Sequence, residues 1–150
     1  MRRIVSYALT GLLLALLAPP IHAQQDVTGD WTLTFTAQGR EGEAVERTME
    51  FTFVQDGSTV TGTTVFAPMG RRPGGGGGQN PPPPQEIEIQ DGVIEGDQLT
   101  FTVVRTMRQR STTQVYTATV SGNTMEGIIE TTGGIRGSGE TAFTGVKKVG

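Results

Sequence analysis

No cysteine occurs in the 150 residues, and the single histidine, His22, lies at the end of an N-terminal leader. Once that leader is set aside, disulfides, thiol nucleophiles, histidine general bases and the usual zinc and copper ligands are excluded together. Long apolar runs are also missing. The longest, Ala8 to Ala18, is 11 residues, well short of the about 20 that a membrane-spanning helix requires. Helical spacing of apolar residues is absent downstream, serine is scarce and has no plausible base, and no dense Asp/Asn loop of calcium-binding spacing occurs.

What is present begins with Arg2 and Arg3, the apolar run, and a small residue, Ala23. This order reads as a secretory signal covering residues 1–23, cut after Ala23. No cysteine follows it for lipid attachment, and beyond the Arg pair the rest of a twin-Arg signal is missing. The expected destination is the periplasm or the medium by the general export route. The remaining 127 residues suit one domain with its own core. They carry 10 basic and 15 acidic side chains, a net charge of −5, which argues against general binding to nucleic acid.

Apolar and polar residues alternate along residues 24–150, and the polar partner is usually threonine. Trp31, Leu33 and Phe35 interleave with Thr32, Thr34 and Thr36; Leu99, Phe101 and Val103 interleave with Thr100 and Thr102. A period of two with one greasy and one wet face is the mark of a half-buried strand. A transmembrane barrel needs the reverse arrangement, with its apolar band outside. Eight strands are predicted, over 29–37, 47–55, 58–66, 86–95, 98–107, 113–120, 124–131 and 140–148. The expected fold is all-β, an eight-stranded antiparallel up-and-down barrel, with a meander sandwich as the competitor.

Phe51 to Thr63 and Tyr116 to Ile128 read as one hairpin written twice, with Gly62 and Gly127 at matching steps. Tight turns at Asp56-Gly57, Gly96-Asp97 and Gly122-Asn123 fall at one end of the barrel. Longer connections, 38–46, 67–85, 108–112 and 132–139, fall at the other, with every downstream arginine: Arg40, Arg47, Arg71, Arg72, Arg105, Arg108, Arg110 and Arg136. Asp56, Asp91 and Asp97 read as turn formers beside glycine. The 67–85 connection is Gly- and Pro-rich; its glycines have the wrong spacing for a phosphate loop and no Lys follows, so it reads as a flap or insertion at the rim.

Gly29-Asp30-Trp31 resembles the opening of the lipocalin and wider calycin group, whose first strand starts Gly-x-Trp and whose Trp packs near a basic residue at the end of the last strand. The resemblance implies Lys147 or Lys148 as that partner, a closed end at the tryptophan and a mouth opposite. The chain is similar in this to the compact lipocalin-like barrels of exported bacterial proteins.

By strand parity Arg47 and Arg105 point inward, in phase with Met49 and Phe51 and with Phe101 and Val103 respectively. Gln114 and Tyr116 share the inner phase of their strand. An inward guanidinium must be paired or bind something, and its planar fork suits a carboxylate, sulfate or phosphate. The alternative is that these arginines reach solvent and pair with Glu46, Glu86 or Glu140.

The expectation is an exported binding protein that takes a small amphiphilic or anionic, carboxylate-like ligand in the barrel mouth. Arg47, Arg105, Gln114 and Tyr116 would supply polar contacts, and Phe53 and Phe101, with Phe35 and Phe66, would line the interior. Gly62, Gly127, Ala118 and Gly145 would leave room. The competing expectation is an interaction or inhibitor module of the cell envelope that uses the long loops over a filled barrel. Catalysis is not expected: Glu86 and Glu88 share one strand face, Glu126 and Glu130 face outward, and nothing sets two carboxylates across a cleft. Neither cofactor, metal nor membrane span is expected, and no specific protein partner is indicated.

Overall fold

The structure is a computed structural model and describes residues 23–39, 42–66, 83–107, 109–133 and 138–149. Most of the expected signal (1–22), most of the Gly/Pro-rich connection (67–82) and Arg40, Arg71, Arg72, Arg108 and Arg136 lie outside the described residues.

Eight strands follow in order: β1 (Gly29–Gln38), β2 (Ala44–Asp56), β3 (Thr59–Phe66), β4 (Gln85–Glu95), β5 (Gln98–Met107), β6 (Arg110–Ser121), β7 (Thr124–Gly133) and β8 (Gly139–Lys147). Each pairs antiparallel with the next, and β8 pairs with β1 over Trp31↔Lys147 to Phe35↔Phe143, so the sheet closes. The up-and-down barrel expected from alternation is the fold, and no described residue is helical. Closure leaves the long strands without a continuous outer edge, which an open sheet of this size would expose.

Two connections differ from expectation. The 108–112 connection is shorter than expected, because Arg105↔Thr112, Thr106↔Ser111 and Met107↔Arg110 continue the β5–β6 ladder, and Gln109 adopts a left-handed φ of 70°. Asp91 is in no turn. It sits with Gly92 in a bulge inside β4, where the register shifts against both β3 and β5, and its φ of 52° absorbs the extra residue. At the other end the tight turns occur as expected, each with glycine at the first of two loop positions and φ near 61–63° at Gly57, Gly96 and Gly122. Glycine in that place defines the hairpin turn whose twist suits paired strands.

The inward residues build a dry core. Phe51, Phe53, Phe101, Tyr116 and Phe143 form a linked aromatic cluster, with Phe101 and Tyr116 stacked at 4.6 Å and Phe51 and Phe53 at 5.6 Å. Leu33, Ile94, Leu99 and Val103 fill around them and are fully buried. The repeated hairpin also has a packing reason. Phe53 pairs with Gly62 and Ala118 with Gly127, and a Cβ at either glycine would strike the Thr52 or Thr117 carbonyl oxygen of the neighbouring strand. These glycines therefore permit close approach of two backbones and leave no hollow. Met125 takes the space at Gly145 in the same way.

Candidate ligand-binding mouth

The two ends of the barrel are finished by different chemistry. At the closed end, residues 24–28 cross beneath the strands: Gln25 N–H donates to Gly96 O at 2.9 Å and Gln24 Nε2 to Ile94 O at 2.7 Å. Val27 enters the core fully buried, and its carbonyl accepts the Trp31 indole N–H at 2.8 Å. Lys147 Nζ stands 6.0 Å from the Trp31 ring centroid, so Lys147 is the basic neighbour, while Lys148 turns outward to Glu50 at 2.6 Å. Asp26 steadies the crossing, its carboxylate held below its usual pKa by the Thr28 N–H and hydroxyl.

At the opposite end a cavity of about 610 Å³ opens, lined by Phe35, Met49 and Phe66 on its apolar side and by Arg47, Arg105 and Gln114 on its polar side, with Glu46, Thr48 and Glu50 along its β2 margin. Arg105 is half-buried with its guanidinium 4.8 Å from the Phe66 ring centroid. One of its terminal nitrogens donates to Gln114 Oε1 and approaches Met49 Sδ at 3.9 Å. Its Nε is buried without a hydrogen-bond partner, and no carboxylate of the described residues pairs with it. Gln114 is fixed from its other side, donating Nε2 to Thr131 Oγ1 at 3.4 Å.

Tyr116 lies directly below, its hydroxyl 3.5 Å from Gln114 Oε1 and 3.9 Å from Met49 Sδ. Burial pushes its pKa up to about 12, against a smaller opposing pull from the nearby Arg105 charge. The phenol is protonated at neutral pH, as an unperturbed tyrosine also is, and has a hydrogen to donate upward.

The structure thus brings Arg47, Arg105, Gln114 and Tyr116 to one end, as parity implied. Phe53 and Phe101 are placed lower, fully buried in the aromatic cluster and away from the cavity lining. The core is filled up to Tyr116, and free space begins above it. Met49 was seen in the sequence only as a phase marker, yet it bridges Arg105 and Tyr116. Its inward phase next to Arg47 was the available signal. The carboxylates Glu86, Glu88, Glu126 and Glu130 are all exposed, and among the described residues no three metal-ligating side chains cluster.

Comparison of the chain with family models, with curated proteins and with solved structures gives no match.

Proposed function

We propose that the protein is an exported, lipocalin-like binding protein that takes a small amphiphile with an anionic, carboxylate-like head in the barrel mouth, and that it is not an enzyme. The observation that carries this is Arg105: a half-buried guanidinium with one buried, unpartnered N–H, no ion pair to any carboxylate of the described residues, and an open cavity in front of it. Leaving such a group unsatisfied costs free energy, and a carboxylate is the partner its geometry fits. The head would meet Arg105 and Gln114, with Arg47 adding charge, while Phe35, Phe66 and Met49 receive the first carbons of the tail. The filled core limits the ligand to the upper part of the barrel.

Calorimetric titration of dodecanoate into the chain beginning at Gln24 tests this reading. Binding is expected to weaken by about 1.5–3 kcal/mol in Arg105→Ala, the range for charge-assisted hydrogen bonds. Equal affinity for the variant, or for dodecanol in place of the acid, would remove the anion site. Native mass spectrometry of protein from its own host would identify a resident ligand directly.

A further inference from the structure

β2 has 13 residues and β3 only 8. The two pair from Asp56↔Thr59 up to Phe51↔Thr64, and the Thr64 hydroxyl donates to Glu50 O at 2.7 Å as the last link. Beyond it the strands part. Val65 and Phe66 stay with β4, opposite Glu86 and Gln85, whereas residues 44–50 stay with β1, opposite Gln38 to Thr32. The mouth cavity runs into this seam, where five consecutive β2 residues, 46–50, face Val65 and Phe66. Successive side chains of a strand point to opposite faces, so an unbroken run lines one space only where the strand's own edge is the wall.

The edge is chemically defined. Glu50 O faces the seam, since it accepts from Thr64. Backbone groups alternate sides along a strand, and the β1–β2 register is unbroken here, so Thr48 and Glu46 also turn their N–H and C=O to the seam. Among the described residues no strand takes them up. Such a row is a template for another strand. Its inner face opens on Arg105, and its outer face carries Glu46 and Glu50, the latter held by Lys148.

We infer that this seam is a strand-accepting site for an extended segment of another protein. The segment adds antiparallel beside β2, opposite Glu46, Thr48 and Glu50, with an acidic side chain directed inward to Arg105 and a basic one outward beside Glu46. The acidic requirement rests on the anion reading of the mouth; the strand addition does not.

The probe is the amidated peptide fluorescein-Thr-Lys-Glu-Thr-Val-Lys-Thr, titrated against the whole chain by fluorescence anisotropy. In the proposed register the amides of both lysines and of the central threonine face β2, while those of Glu and Val face away. N-methylation of any of the first three is expected to weaken binding about tenfold or more, and of the other two to change it by less than about twofold. Amide hydrogen exchange at Glu46 and Thr48 should slow on binding. Insensitivity to N-methylation in both phases, or unchanged exchange at those residues, overturns the strand site.

Arg105→Gln should weaken the peptide about tenfold but leave unchanged a version with Gln replacing Glu. If dodecanoate depends on Arg105 and the peptide does not bind, the strand site fails while the anion reading stands. If the period-two pattern appears without dependence on Arg105, strand addition stands and the anion reading falls.

Discussion

Trp31 at the closed end and Arg105 at the mouth are both inward side chains near the end of a strand, but their surroundings differ in kind. Trp31 is fully buried, and its one polar atom is matched by a carbonyl from the segment that crosses beneath it. Arg105 keeps a charge inside the rim with one donor unmatched and a cavity before it. One end has satisfied its groups internally, and the other holds a buried guanidinium N–H that no group of the described residues matches. Stability should therefore concentrate below the Tyr116 level and recognition above it.

The sharpest way to break this contrast is Trp31→Ala. It should cost about 3–5 kcal/mol in denaturant unfolding, the range for removing a fully buried aromatic; a loss below about 1 kcal/mol would mean that the closed end is not the anchor. Next in size is the pH response of the boundary residue, Tyr116. Its folded pKa, raised to about 12, exceeds the unfolded value of about 10, so between these values the unfolded chain has lost its proton while the folded one retains it. The stabilisation is complete below about pH 10 and is lost as the pH rises to about 12, by about 1–3 kcal/mol. In the chain beginning at Gln24 this is the only tyrosine, and phenolate absorbance at 295 nm should rise near pH 12 when folded and near pH 10 in denaturant. Coincident titrations would place Tyr116 in solvent.

At the mouth, Arg105→Met should leave unfolding stability within about 1 kcal/mol of the parent, or raise it, because an incompletely matched charge is exchanged for apolar contact with Phe66 and Met49. A loss as large as that of Trp31→Ala would make Arg105 structural and erase the distinction between the ends. The smallest effect is expected for Lys147→Met, which removes a cation 6.0 Å from the Trp31 ring and should cost about 0.5–1 kcal/mol, measured by thermal unfolding.

Much of the fold was legible because the period of two is strong and the turn chemistry is local. The observed strands end within three residues of those expected, since each inward apolar residue and each glycine at a turn speaks for itself. The misreadings came where a distant strand decides. Asp91-Gly92 has the composition of a turn, yet ladders with β3 and β5 on both sides hold it in extended structure as a bulge. Arg110, Ser111 and Thr112 look like part of a loop, yet they pair with Met107, Thr106 and Arg105 of β5. Gly62 and Gly127 look like vacancies, but neighbouring carbonyls occupy the space. In the site, parity correctly turned Arg47, Arg105, Gln114 and Tyr116 inward but gave no height along the barrel, so Phe53 and Phe101 were grouped with residues that sit above them.

The amino-acid order by itself determined which side chains face in, how many strands there are and where the tight turns close, because these follow from alternation and from glycine's backbone freedom at single positions. Only the tertiary structure decided that the aromatic cluster fills the lower barrel, that residues 24–28 seal its base, and that β2 outruns β3 to open a seam beside Arg105. These depend on register and strand tilt between residues far apart in the chain, and a two-residue rhythm carries no information about either.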